Sequence, residues 1–358
     1  MSSTSLLGGA ERILLDRAQA LEGPVVLACP DGELGDSARE AGLTVITLRS
    51  RRAELRAGVR DRVGAPLRIG AQSAEVRRLV RRLAPRCVIG WSMRGVLASA
   101  GALAGARAAP PLVFAHNDLA PSPGVARVVR LAAGRAAGVL ALSRAIAEDL
   151  DPLGRLAVEV IHPGVDLDRF APSPLPAGPP EVLVLGAVVD WKRPDLALET
   201  AALAARDLPG LRLRLAGAPM GESGRRLAAW LRARASEPDL AGLVSQEGAV
   251  EDVPGALRRA TCVLHCADRE PFGVALVEAL ACARPVVAPA AAGPLEIVNE
   301  RCGALYRPGD APAAAAALLE TVRRAPDLAR PAREQAERLF DRRVSNRRFR
   351  AAVEGVLR

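Results

Sequence analysis

Short apolar runs alternate with helix-like stretches along nearly the whole chain, and this alternation constrains the fold more than any other feature. Candidate strands fall at residues 25–28, 45–48, 87–90, 112–115 and 138–142, then again at 182–186, 211–217, 261–266 and 285–288. Helical patterns lie between them, for example at 11–21, 73–83, 195–206 and 274–283. Repeated βα units imply parallel sheets with helices on both faces. The pattern breaks once, at residues 171–180, which hold Pro172, Pro174, Pro176, Pro179 and Pro180. Proline lacks a backbone donor and fixes φ, so this stretch is expected to be a semi-rigid linker. The expected organisation is therefore a first α/β domain over 1–170, a linker over 171–180 and a second α/β domain over 181–358. The last helix is a candidate to pack back on the first domain. A chain of 358 residues with 50% apolar content is large enough for two such cores.

The first half lacks one expected feature. Gly8, Gly9, Ala10 and Glu11 open a helix with no apolar run before them, where a doubly wound domain would place its first strand. Either the chain as given starts late or the domain has a reduced edge.

Composition narrows the partners. Aromatic residues make up 3% of the chain, too few for base-stacking platforms, which argues against nucleic acid. The formal charge is +9, and it is unevenly placed. Residues 49–94 carry 13 arginines against Glu54, Asp61 and Glu75, a local +10 that leaves −1 for the rest. In this segment Val76, Leu79, Val80 and Leu83 form an i, i+3, i+4, i+7 stripe, with Arg77, Arg78, Arg81 and Arg82 off it. The plain reading is a sheet-packed helix with a solvated arginine face. The sharper one adds Arg49, Arg51, Arg52 and Arg56 and makes it a dock for an anionic membrane or an anionic acceptor. Against 48 arginines there is one lysine, Lys192.

The cysteines at 29, 87, 262, 266, 282 and 302 read as reduced thiols, because residues 1–10 show no secretory signal; the expected location is cytoplasmic, with peripheral membrane contact as an option. Cys262, His265 and Cys266 form a C-x2-H-C cluster, but Cys262 opens a buried-strand pattern, so no metal site is expected. No apolar window is long enough for a transmembrane helix.

Four segments carry candidate chemistry. Glu270-Pro-Phe-Gly-Val-Ala-Leu-Val-Glu278 follows a strand and enters a helix. Its two carboxylates would lie about 12 Å apart if helical, a spacing suited to gripping two parts of an extended ligand. Downstream, Gly293-Pro294 begins another helix whose N–H groups would favour phosphate, and Glu296 follows as a helix cap or a ligand contact. In the second segment a strand ends at Gly186, and Lys192 follows on the loop, where a point charge could meet a diphosphate. The third runs from His162 through Gly164, Asp166 and Asp168 to Phe170. The fourth is the Gly8-Gly9 loop. His162 and His265 read as structural, and Ser143 as a helix N-cap.

Taken in order, these segments make the chain resemble the family 4 retaining glycosyltransferases of the GT-B fold. The N-terminal G-G-x-E loop is matched by Gly8, Gly9 and Glu11. The hinge element is matched by His162 to Phe170, with Pro163 at its Asn position. G-R-x-x-x-x-K is matched by Gly186, Ala187 and Lys192, E-x7-E by Glu270 and Glu278, and the following turn by Gly293 and Glu296. The resemblance implies two Rossmann-like, doubly wound parallel-sheet domains facing a central cleft, and transfer of a hexose from a UDP- or GDP-sugar with retention. The C-terminal domain would bind the donor and the N-terminal domain the acceptor. Lys192 would hold the diphosphate, Glu270 the sugar hydroxyls and Glu278 the ribose, with Phe272, Gly273 and Val274 in the same donor-binding set. The Gly293 turn would add backbone N–H groups, Gly8 and Gly9 would lie near the ligand, and His116 would sit beside the reacting centre. His116, Lys192 and Glu270 are thus the expected catalytic residues, acting by positioning and electrostatics, and neither metal nor cofactor is implied.

One departure bears on activity. The family's diphosphate-binding Arg is Ala187 here, and Arg193 on the same loop is the candidate to compensate. This leaves two alternatives beside a transferase with a lipid, glycan or small-molecule acceptor. One is a non-catalytic nucleotide-sugar-binding partner protein; the other is a nucleotide-sugar epimerase of the same fold.

Overall fold

The computed structural model describes residues 1–49 and 59–358; Arg51, Arg52 and Arg56 of the arginine-rich segment therefore lie outside the described residues. The chain divides into two compact units, one made of Met1–Pro163 with Arg343–Arg358, the other of Gly164–Arg342.

The first unit runs α1 (Gly9–Ala20), β1 (Val26–Pro30), α2 (Glu33–Glu40), β2 (Thr44–Leu48), α3 (Val59–Leu83), β3 (Val88–Trp91) and α4 (Ser92–Leu103). It continues through β4 (Leu112–His116), α5 (Pro123–Ala133), β5 (Gly138–Ala141), α6 (Arg144–Leu150) and β6 (Val158–Val160). β1 and β2 form a parallel pair, and β3-β4-β5-β6 a four-stranded parallel sheet. The strand position between β1 and β3 is taken by residues 1–3. Ser2 N–H donates to the Ala28 carbonyl (2.9 Å), and the Met1 carbonyl accepts from Trp91 N–H (3.0 Å). This strip stands where the sequence showed no apolar run: Ser2 bonds to the β1 side and Met1 to the β3 side, and so short a segment needs no strand pattern of its own.

The unit is completed by α14 (Arg342–Val356), whose Phe349 and Val353 pack with Val113, Leu140 and Ile161. Arg17 of α1 is 2% exposed and joins these parts. Its guanidinium donates to the carbonyls of Ile161, His162 and Ser345 and lies over the Phe349 ring at 4.9 Å.

The second unit runs β7 (Glu181–Leu185), α7 (Pro194–Ala204), β8 (Arg212–Ala216), α8 (Gly221–Ala235), β9 (Val244–Gly248), α9 (Val253–Arg258), β10 (Cys262–Leu264) and α10 (Val274–Ala281). It ends with β11 (Val286–Pro289), α11 (Pro294–Ile297), β12 (Gly303–Tyr306), α12 (Ala311–Arg323) and α13 (Ala325–Leu339). Its six strands form one parallel sheet in the order β12-β11-β10-β7-β8-β9. Adjacent strand residues feed opposite cores: Leu183 and Val263 pack on one face, Val182, Cys262 and Leu264 on the other. Burial on both faces explains why these strands read as continuous apolar runs.

Two expectations need correction. The boundary falls at residues 163/164, not across 171–180, and the proline-rich stretch belongs to the second unit rather than linking two. Arg284, fully buried, holds it there by donating to the Ser173 carbonyl (2.9 Å), Ser173 Oγ (2.6 Å) and the Pro174 carbonyl (2.9 Å). Proline forbids helix and central strand, but it does not forbid an extended segment tethered through its carbonyls.

On α3, Val76 is buried and Leu79 and Val80 are half-buried, but Leu83 is exposed. Arg78, Arg81 and Arg82 face solvent. Arg77 differs from them: its guanidinium donates to the carbonyls of Gly101 (3.0 Å), Ala102 (2.8 Å) and Ala104 (3.1 Å) at the end of α4. Among the described residues, no helix is long and apolar enough to cross a membrane.

Candidate functional site

The second unit gathers the candidate donor residues at the carboxyl ends of β7 and β10, the side of a parallel sheet where ligands bind. β7 ends at Leu185, and Gly186 follows with φ +148°. The chain is pinned there by Gly186 N–H to the Ala216 carbonyl and Val188 N–H to the Ala218 carbonyl, both 2.9 Å. A Cβ on Gly217 would sit 1.8 Å from the Gly186 oxygen, so the two loops touch backbone to backbone. A single 3-10 turn, Asp190–Lys192, then leads to Arg193 in the left-handed conformation (φ +51°) and Pro194 at the first position of α7.

That path aims Lys192 back over Gly186. A Cβ on Gly186 would meet Lys192 Cδ at 3.3 Å and Nζ at 3.4 Å, so the missing side chain leaves room for the lysine. Lys192 Nζ lies 3.2 Å from Glu270 Oε2 and 4.6 Å from the centroid of the Trp191 ring. Arg193, the next residue, reaches in parallel to Asp268 (3.1 Å) and also grips Asp195 at 2.9 Å. Two consecutive cations thus tie the loop after β7 to the loop after β10.

Glu270 is 8% exposed. Burial pushes its carboxyl up, but Lys192 and then His265 outweigh that, and the group is held down at about 2. His265 Nε2 lies 3.2 Å from the same Oε2, and its carbonyl accepts from Tyr306 Oη at 2.8 Å. The Glu270 carbonyl accepts from Gly293 N–H at 2.9 Å. Gly293 is required for that approach, because a Cβ would sit 2.2 Å from the Phe272 oxygen.

Several expectations change in this light. Gly293 does not offer its own N–H to a ligand here, since Glu270 takes it. Arg193 does not stand free to replace the arginine absent at Ala187. Its charge is spent on Asp195 first and then Asp268, which together raise its pKa further. Phe272 is a core residue, 3% exposed and edge-on to Phe340 at 5.9 Å. Gly273 (φ +110°) and Val274 start α10, where Gly273 supplies a backbone conformation that side chains disfavour. Glu278 is half-buried on α10, and Glu296 lies in the short α11.

His265 is the residue that sequence reasoning passed over as structural. Its only signal was its place three residues past the start of a buried strand and five before Glu270. Among the described residues, no three His, Cys, Asp or Glu groups are placed to hold a metal. Cys262 and Cys266 beside it are buried, with thiols pushed up to about 12.

Gly8, Gly9 and His116 belong to the first unit. Gly8 N–H donates to Glu11 Oε2 at 3.2 Å across the first turn of α1, and burial pushes the Glu11 carboxyl up. His116 ends β4, is 1% exposed and stacks on Phe114 at 4.8 Å. Among the described residues its buried Nδ1 has no hydrogen-bond partner, and burial lowers its pKa to about 3, so the ring is neutral at ordinary pH. Ser143 caps α6, accepting from Ile146 N–H at 3.1 Å.

Known proteins resemble this chain along its length. Two family models divide it, one described as Glycosyltransferase Family 4 over residues 7–169 and one as Glycosyl transferases group 1 over residues 167–338. A D-inositol 3-phosphate glycosyltransferase of Saccharomonospora viridis is 36% identical over 212 residues, 53% of this chain and 48% of that protein. One of the same name from Mycolicibacterium smegmatis is 33% identical over 195 residues, 51% and 44% of the two chains. The chain spans about half the length of the curated relatives it matches. Among solved structures, Anabaena HepE in complex with UDP and glucose superimposes with a TM-score of 0.85 at 22% identity, covering 99% of this chain and 98% of that one. A Rickettsia africae glycosyltransferase does so with a TM-score of 0.80 at 16% identity, covering 98% and 96%. At these identities the likeness speaks for the fold.

Proposed function

Because the chain belongs to the family 4 glycosyltransferases and has the GT-B fold, we propose that it transfers a hexose from a nucleotide-diphospho-sugar, with retention at the anomeric carbon. The observation that carries this reading is the Lys192–Glu270 pair, set over Gly186 at the carboxyl ends of β7 and β10. Lys192 supplies a compact charge for the diphosphate. Glu270, ionised at any working pH, accepts hydrogen bonds from sugar hydroxyls. Neither group needs to gain or lose a proton, so catalysis rests on positioning and on stabilising the leaving phosphate. A neutral His116 fits the same scheme as a hydrogen-bonding group rather than a cation. HepE was crystallised with UDP and with UDP-glucose, which favours a UDP-sugar among the donors, with a GDP-sugar as the alternative.

The acceptor proposal is coarser. Relatives named for D-inositol 3-phosphate favour a phosphorylated small molecule, and the exposed Arg78, Arg81 and Arg82 of α3 suit an anionic acceptor or the anionic headgroups around a lipid one. Co-sedimentation with vesicles of rising anionic-lipid content separates these: binding that ignores lipid charge removes the membrane from the reading.

A second reading has its own support. Ala187 leaves half of the expected cationic clamp empty and Arg193 is engaged elsewhere, an arrangement suited to a nucleotide-sugar-binding protein that does not transfer. The test is a panel of UDP- and GDP-sugars with D-inositol 3-phosphate and related acceptors. Turnover that disappears in Glu270→Ala, with the fold kept, supports transfer. Binding without turnover supports the second reading, and no thermal shift with any nucleoside diphosphate removes both.

A further inference from the structure

Trp191 is 40% exposed, yet its ring is placed against a charged group. The Lys192 ammonium lies 4.6 Å from the ring centroid, within the range where an aromatic face attracts a cation. The same ammonium lies 3.2 Å from Glu270 Oε2, and Gly186 leaves room for the lysine stem, with its missing Cβ 3.3 Å from Cδ. The turn that presents Trp191 is itself fixed. Arg193 N–H and Lys192 N–H close it onto the Asp190 and Val189 carbonyls, both at 3.1 Å, and the Arg193 guanidinium anchors its end to Asp195 and Asp268.

We propose that Trp191 is a positioning residue: its ring face holds the Lys192 ammonium over Gly186, so that Lys192 can leave Glu270 for a diphosphate without losing its place. The proposal rests on the donor-site reading. A lysine side chain loses much rotamer freedom when it is fixed, and this chain has one lysine and no arginine at 187 to share the work. A diphosphate can draw Lys192 from Glu270 only by offering a better partner for the same ammonium. The ring keeps that ammonium close during the exchange, because a π face neither donates to nor competes with a phosphate oxygen. His265 Nε2, at 3.2 Å, stays beside the Glu270 oxygen that the lysine leaves.

The single lysine makes the test direct. Protein labelled with 13C,15N-lysine gives one set of side-chain signals, all from Lys192, with no assignment needed. The full-length chain and its Trp191→Phe and Trp191→Ala variants are compared, first alone and then titrated with UDP and GDP by calorimetry. The expected result is an upfield ring-current shift of the Lys192 Hε protons, kept in part by Trp191→Phe and lost in Trp191→Ala. UDP affinity should fall about five- to thirtyfold in Trp191→Ala and by less than about threefold in Trp191→Phe. Lysine signals at the free-amino-acid position in the unmodified protein overturn the proposal whatever the nucleotide does. A shifted signal with unchanged affinity in Trp191→Ala also overturns it, while leaving the donor site standing. Failure of the unmodified protein to bind any nucleoside diphosphate overturns the donor-site reading and this role together.

Discussion

Lys192 Nζ stands 3.2 Å from Glu270 Oε2, so the chain's one lysine is already paired with the carboxylate proposed to meet the donor sugar. On the proposed donor reading, a nucleoside diphosphate competes with Glu270 for the same ammonium. Replacing Glu270 by Gln keeps the shape and removes the competitor. UDP affinity should rise in Glu270→Gln, by about three- to tenfold, while transfer falls by at least about a hundredfold. Calorimetric titration beside a transfer assay checks the pair of outcomes. Weaker UDP binding in Glu270→Gln would show that the carboxylate orders Lys192 rather than competing for it.

The same pair predicts a pH dependence of stability. Glu270 is held at about 2 in the folded chain against an ordinary value of 4.5, because Lys192 and His265 outweigh the burial that raises it. The folded form thus binds the proton less readily than the unfolded form. Its contribution is complete above about pH 4.5 and is lost as pH falls through about 2. The shift corresponds to about 3 kcal/mol. Urea unfolding of the unmodified protein and of Glu270→Gln, compared from pH 7 to pH 2.5, isolates this term from the other carboxylates. The gap between the two proteins should narrow steadily below pH 4.5. A gap that stays constant across this range would mean that the carboxylate is not held in the ionised form by its neighbours.

Backbone packing predicts what Gly293 does. A Cβ there would sit 2.2 Å from the Phe272 oxygen, closer than any side chain tolerates, and the Gly293 N–H to Glu270 carbonyl bond would have to break as the loop moved away. Gly293→Ala should cost about 1–3 kcal/mol of stability. It should also lower transfer from a UDP-sugar, because Glu270, proposed to hold the sugar hydroxyls, moves with the loop. Unfolding curves and a transfer assay are the measurements, and a variant as stable as the parent would show that the 270–273 loop gives way freely.

Much of this was legible from residue order. The strands flanking Gly186 and preceding Glu270 were plain because a parallel sheet buried on both faces writes itself as continuous apolar runs, such as residues 182–185 and 262–264. β9, with Ser245, Gln246 and Glu247, and the three-residue β6 lack such runs and carry no such signal. Lys192 and Glu270 could be picked out, but their contact joins residues 78 apart, and no spacing rule reports it. Arg193 differs from its expectation for a related reason. A cation on a loop is visible in sequence, whereas its neutralisation by Asp195 and Asp268 depends on where the loop after β10 runs. The linker was misplaced because prolines announce extended chain but not what holds it, and Arg284 lies 110 residues from Pro174.

Ala187 is the position where a single change would report most. It is half-buried one residue past Gly186, at the place where the family carries arginine, and no described cation on this loop is free to stand in for it. On the proposed donor reading, Lys192 would therefore meet the diphosphate without a second cation from this loop. Ala187→Arg adds a planar guanidinium that can bind two phosphate oxygens at once. UDP affinity should rise by about ten- to a hundredfold, since a charge-assisted bidentate contact contributes about 1.5–3 kcal/mol. The effect on turnover separates the two functional readings. If the unmodified chain already turns over a UDP-sugar, Ala187→Arg should tighten donor binding with little gain in kcat, because binding and not chemistry is what it supplies. If the unmodified chain binds but does not transfer, and Ala187→Arg creates transfer, the chain is a binding protein that lacks one charge. Unchanged UDP affinity in Ala187→Arg would place the diphosphate away from the Gly186 loop and overturn the donor-site assignment.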